Sequence, residues 1–170
     1  MSSQDEQESI GGSLQGGGFY GRYDYILDAK KRFSIPADWR DAMRSPTYVY
    51  IVPDPEEQYL HLLPPEEMEK SFRELNNRAL FDETLDQSLS LIHEYVDQVR
   101  IDGQGRIRVS DLLLNYAMIE DTVVMVGAKN RAQLWSLKLR PATGVVNRAA
   151  FSAAYKTYST HKSKGFPNKQ

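Results

Sequence analysis

Eight residues of this chain recur 74 positions further on. Asp28-Ala29-Lys30-Lys31-Arg32-Phe33-Ser34-Ile35 returns as Asp102-Gly103-Gln104-Gly105-Arg106-Ile107-Arg108-Val109. An apolar segment precedes each copy, Tyr25-Ile26-Leu27 in one and Val99-Arg100-Ile101 in the other, and a short helical segment follows each. At the same offset Val49-Tyr50-Ile51 meets Val123-Val124-Met125, and Leu62-Leu63 answers Leu134-Trp135 after a small change of length. Strand, turn, strand, helix, strand and strand repeating in order point to duplication. The expected fold is therefore α+β and β-rich, built from two copies of one small unit. In the first copy, residues 23–27 and 33–35 around a tight polar turn read as a hairpin. A short helix is expected at 36–43, with Pro36 at its first position.

The remaining segments follow from composition and period. Residues 1–18 are acidic and Gly/Ser-rich, and are expected to form a disordered tail. The first repeat spans 19–65 and the second 96–140. Between them, 66–95 switches to helical spacing (Met68, Phe72, Leu75; Leu85, Leu89, Ile92) and reads as a helical pair. Residues 141–170 form a basic C-terminal segment, with a helix near 145–156 and a frayed tail at 159–165.

Charge is distributed unevenly. All 23 Asp and Glu lie at or before Asp121 with 12 of the 21 Lys and Arg, whereas 122–170 holds the other nine and no acid. Two readings stay open: one face meets phosphate, or the basic end neutralises an acidic segment of its own or a neighbouring subunit. The absence of Cys excludes a disulfide framework and thiolate metal sites. No apolar run approaches a membrane span and the N-terminus lacks a signal-peptide pattern, so a cytoplasmic protein is expected.

The repeated turns carry the most suggestive chemistry. Each places Asp and Arg four residues apart, Asp28 with Arg32 and Asp102 with Arg106. An Asp at a turn entrance accepts backbone hydrogen bonds and fixes the loop, while Gly103 and Gly105 ease the second turn. The Arg then offers a planar fork to a carboxylate or a phosphate. Lys30 and Lys31 add charge to the first turn, and Arg108 to the second. Paired turns of this kind suit a DNA backbone or groove. The competing reading, that each Asp–Arg pair only locks its turn, stands slightly ahead on sequence alone, and the two overlap because an Arg held by Asp still presents its other nitrogens.

Other chemistries lack candidates. His61, His93 and His161 are scattered without metal-ligand spacing, so no metal is expected. Gly103-Gln104-Gly105 lacks the remainder of a phosphate loop. No Ser lies in a nucleophile-elbow sequence, and Glu56-Glu57 and Glu66-Glu67 read as solvated charge. No enzyme, cofactor or small-molecule substrate is expected.

The segment from Phe19-Tyr20-Gly21-Arg22-Tyr23 through Asp28 and Arg32 to Pro36 resembles the opening signature of the MraZ family. Ile101-Asp102-Gly103-Gln104-Gly105-Arg106-Ile107, Val126-Gly127 and Asn130-Arg131-Ala132-Gln133-Leu134-Trp135 resemble its second half. The resemblance implies tandem swapped-hairpin β-barrel repeats of the SpoVT/AbrB type. It implies binding to double-stranded DNA, at short direct repeats in the promoter of a cell-division and cell-wall gene cluster, and hence a nucleoid location. It also implies a ring-shaped homo-oligomer. By motif position Arg32 and Arg106 carry over as DNA contacts, Lys30 as a phosphate partner, and Asp28 and Asp102 as turn-shaping residues. Lys31 stands where the family has Gly, which implies loss of a positive-φ residue from the first turn. Ser110 and Leu114 replace an expected Pro and Arg. The alternative is a protein-interaction or antitoxin-like module on the same fold.

Overall fold

Both copies fold into the same series of elements in the computed structural model, which describes residues 17–163. The first comprises β1 (Arg22–Ile26), β2 (Arg32–Ser34), α1 (Ala37–Ala42), β3 (Tyr48–Pro53) and β4 (Leu60–Leu63). A helical pair follows, α2 (Pro65–Ala79) and α3 (Glu83–Glu94). The second comprises β5 (Asp97–Arg100), β6 (Arg106–Arg108), α4 (Asp111–Tyr116), β7 (Thr122–Gly127) and β8 (Ala132–Ser136). These lie in one compact unit, Met1–Arg140, and Pro141–Gln170 makes another.

Within the first unit the copies interleave. β1 pairs antiparallel with β7, and β5 pairs antiparallel with β3, so each copy's first strand lies on the other's third. The registers obey the repeat, with Tyr48 opposite Arg100 as Thr122 is opposite Ile26. The result is a six-stranded antiparallel sheet, β1-β7-β8-β4-β3-β5, beside a two-stranded ribbon of β2 and β6. The hairpin expectation is corrected accordingly. Two backbone bonds close each turn, Asp28 N–H to Arg32 O at 3.0 Å with Lys31 N–H to Asp28 O at 2.9 Å, and Asp102 N–H to Arg106 O at 2.9 Å with Gly105 N–H to Asp102 O at 3.0 Å, and the arms then part into different sheets. The expected β-barrel is corrected too. β2 and β6 are three residues long and pair with each other, so among the described residues no strand joins edge strand β1 to edge strand β5 and the sheet stays open.

Alternation sets which side chains enter the core. In β3, Val49 and Ile51 are buried while Tyr48 and Tyr50 are half-buried; in β4, Leu60 and Leu62 are buried. β7 departs from alternation because it is covered on both faces. Val123 and Met125 join the main core with Leu60, Leu62 and Leu134, whereas Val124 packs with Tyr59 and Trp135 in a second cluster. Burying each such aliphatic side chain contributes about 1.5–3 kcal/mol.

The short helices close the core. Trp39 of α1 is buried with its ring 5.2 Å from Phe19 and 5.3 Å from Tyr23, and its indole N–H donates to Tyr20 O at 3.2 Å. Pro36 caps this helix from outside, at φ −50° and ψ 139°, one position before the place expected for it. In α4 the Ser110 hydroxyl accepts from Leu113 N–H at 3.4 Å, and Leu113 and Leu114 are buried. In the helical pair, Asp82 caps α3 by accepting from Leu85 N–H, and Phe72 meets His93 ring to ring at 5.2 Å.

The second unit contains α5 (Arg148–Ser163). This helix runs past the expected end near 156 and takes in the part of the predicted frayed tail up to Ser163. Asn147 starts it by accepting from Ala150 N–H at 3.1 Å, and His161 and Lys162 in the last turn complement its dipole. The tail predicted for 1–18 lies outside the described residues except for Gly17 and Gly18, as do residues 164 and 165. No helix among the described residues is long and apolar enough to cross a membrane.

Candidate nucleic-acid interface

The ribbon has three facing pairs: Arg32 opposite Arg108, Phe33 opposite Ile107, and Ser34 opposite Arg106. Facing residues share a side, and neighbours along a strand alternate. Phe33 and Ile107 point inward and are buried, at 3 % and 1 % exposure. Arg32, Arg106, Arg108 and Ser34 therefore lie on the outer side, so a single hydrophobic pair seats three guanidinium groups on one face. The two turns leave this ribbon from opposite ends.

The Asp carboxylates organise the turns alike. Asp28 Oδ1 accepts from Lys30 N–H at 2.9 Å and Arg32 N–H at 2.8 Å, while Oδ2 accepts from Arg32 Nε at 2.8 Å. Asp102 Oδ1 accepts from Gln104 N–H and Arg106 N–H, both at 2.9 Å, and Oδ2 from Arg106 Nε at 2.8 Å. Each carboxylate thus takes the Nε edge of its arginine. The terminal nitrogens are the edge that reads a guanine or grips a phosphate. The ion pair in each turn uses Nε and leaves the terminal nitrogens outside it.

These hydrogen bonds depress both carboxyls. The Arg32 and Arg106 backbone amides contribute most; desolvation opposes them, and the guanidinium and the amide two residues on reinforce them, so both groups lie below the usual 3.8. A carboxyl with a depressed folded value stabilises the turn above about 3.8, and that contribution disappears as pH falls through the lower folded value. The Arg32 and Arg106 amide resonances should accordingly titrate in acid with midpoints below 3.8. An NMR pH series showing midpoints at or above that value would contradict the assignment.

The remaining expected residues fall around the same ribbon. Lys31 Nζ pairs with Asp111 at 3.1 Å, and Arg108 reaches both Asp111 at 3.4 Å and Lys30 O at 3.2 Å. Asp111 therefore joins the two copies, a role its position in a helix's first turn did not suggest. The Lys31 pair is the main cause of its lowered carboxyl pKa. Lys30 is exposed at the tip. Lys31 keeps the left-handed backbone implied to be lost, with φ 57° against 77° at the equivalent Gly105. Holding a lysine there costs about 1–2 kcal/mol, and its exposed ion pair returns at most about 1. Lys31→Gly should stabilise the chain by about 0.5–1 kcal/mol in urea unfolding.

A Cβ at Gly105 would stand 2.5 Å from Arg40 Cζ, the far end of a flexible side chain, so it is the positive φ that favours glycine there. Gly103, expected to shape the same turn, meets nothing within 4 Å and has no positive φ. Arg40 went unnoticed in the sequence although it donates from Nε to Ile35 O at 3.2 Å and packs over the second turn. The repeat offered a signal, since Arg40 and Leu114 are equivalent positions. Leu114 is buried at 3 %. Among the described residues no group of three or more His, Asp or Glu could hold a metal ion.

Comparison with known proteins bears on the same region. The model of the MraZ protein family, described as antitoxin-like, matches residues 95–139, which run from β5 through β8. The transcriptional regulator MraZ of Mycoplasma mobile is 31 % identical over 121 residues, covering 69 % of this chain and 78 % of the relative. That of Mesoplasma florum is 32 % identical over 120 residues, covering 71 % and 81 %. That of Chlorobium luteolum is 31 % identical over 130 residues, covering 69 % and 83 %.

Proposed function

The chain belongs to the MraZ family, and on that premise we propose that it is a transcriptional regulator that binds double-stranded DNA through the β2–β6 ribbon. The observation carrying this reading is the outward face of Arg32, Arg106 and Arg108 over the buried Phe33–Ile107 pair. Arg32 and Arg106 read bases through their terminal nitrogens, oriented by Asp28 and Asp102. Lys30, Lys31 and Arg108 meet phosphates and set the register. The interleaved copies are two swapped-hairpin units of the SpoVT/AbrB type, and their exchanged first strands hold both turns on one ribbon.

The binding site is a set of short direct repeats in a promoter, which a ring of identical subunits engages together, in the cytoplasm at the nucleoid. A ring follows from a head-to-tail contact whose rotation closes. Light scattering measures its size.

Selection of bound duplexes from a random pool, followed by a salt titration of the winner, tests the proposal. Enrichment of a defined site is expected, with log affinity falling linearly against log salt at about −0.9 per phosphate neutralised. A pool that never enriches, with a stoichiometric protein partner co-purifying instead, would favour the antitoxin-like alternative.

A further inference from the structure

The second unit carries a stripe that the ribbon does not use. Along α5, Arg148, Phe151, Tyr155, Tyr158 and Lys162 are spaced by three, four, three and four residues, which places them on one face of a helix. All five are exposed. The rings follow one another closely, Phe151 to Tyr155 at 6.5 Å and Tyr155 to Tyr158 at 6.0 Å. The opposite face holds Ala149, Ala153, Thr157 and Thr160, and the helix contains no acid.

We propose that this stripe binds single-stranded nucleic acid, its rings stacking on unpaired bases and its cations meeting the flanking phosphates. The spacing would also suit the seam of a helix pair. Self-pairing is disfavoured in both orientations: parallel copies set Arg148 on Arg148, antiparallel copies set Arg148 on Lys162, and no acid compensates. A helix lying in a membrane surface carries its cations on the face opposite its aromatic residues. Here two of the helix's three lysines and arginines, Arg148 and Lys162, share the aromatic stripe, and Lys156 alone lies toward the opposite face. A duplex would use the cations and leave the rings idle, because its bases are already stacked. A single strand uses both, through aromatic stacking and backbone charge. The absence of acid throughout residues 122–170 suits a polyanion.

Fluorescence anisotropy of the full chain with labelled oligo-dT and oligo-U of about 15 nucleotides tests this, that length lying within the span of one such site. Saturable binding is expected. The variant F151A/Y155A/Y158A, which keeps every cation and replaces the rings by the best helix former, should lose about tenfold or more for both. R32A/R106A should bind both strands as the wild type does, so failure here and failure of the promoter-binding reading are separately visible. Relative binding of oligo-dT and oligo-U tells whether the source is melted DNA or RNA. The proposal is overturned if the ring variant binds single strands undiminished. It is equally overturned if the rings instead govern attachment to phosphatidylglycerol vesicles, or the oligomer size in light scattering.

Discussion

Arg32→Ala and Arg106→Ala are each expected to weaken binding to the selected DNA site by about 1–3 kcal/mol, or roughly five- to 150-fold, as loss of a bidentate base contact does. The fold should survive both changes, because Asp28 and Asp102 keep their two backbone hydrogen bonds when the guanidinium is removed. Each truncation also leaves a carboxylate without its cation on the ribbon, so on the proposed function charge repulsion from phosphate adds to the lost contact. Arg32→Lys and Arg106→Lys isolate the contribution of the fork, since a lysine restores charge but presents no planar pair of donors. Affinity should thus fall from arginine to lysine to alanine, with discrimination between sites already lost at lysine. Lys30→Ala should behave differently. It should weaken all sequences alike and lower the salt slope by about one. Competition gel shifts against scrambled duplex measure both quantities, and affinities unchanged in all the arginine variants would remove the ribbon from the interface.

Much of this arrangement could be read from the repeat, and the parts that could not have a common physical cause. Alternation in Tyr48-Val49-Tyr50-Ile51 and the Asp-x-x-x-Arg spacing depend on residues close in the chain, so β3 and the Asp28 and Asp102 turns were legible. Which strand each one joins depends on partners far along the chain, as with Arg22 opposite Val126 and Tyr48 opposite Arg100. A duplicated pattern buries the same side chains whether β1 pairs within its own copy or with β7 of the other, so the exchange left no local mark. Two-sided burial did leave one, in the unbroken apolar run Val123-Val124-Met125. The left-handed backbone at Lys31 was illegible because that residue type argues against it; only equivalence with Gly105 reveals it. Asp111 and Arg40 act across the copies on the other copy's turn. Finding them requires the β2–β6 register, which no spacing rule supplies.

Interleaving also predicts where the fold is most vulnerable. Phe19 is fully buried, donates from its N–H to Lys129 O at 2.8 Å and accepts from Lys129 N–H at 3.0 Å, so the first copy begins on a loop of the second. Phe19→Ala should cost about 3–5 kcal/mol, the usual range for emptying an aromatic site in a core. Gly127→Ala should destabilise through the same contact from the other side. A Cβ at 127 would stand 2.3 Å from the Phe19 carbonyl carbon and oxygen and 2.5 Å from Tyr20 N, and backbone cannot step aside as a flexible side chain can. Overpacking of this kind costs about 1–3 kcal/mol or more. Because the methyl displaces the segment that seats Phe19, the two losses overlap. The double variant should be less destabilised than the sum of the single variants, by at least about 0.5 kcal/mol, a coupling well within reach for residues in contact. Urea unfolding of the wild type and the three variants measures that cycle. Strict additivity would mean that Phe19 and Gly127 act independently, and that their close approach does not couple the two copies energetically.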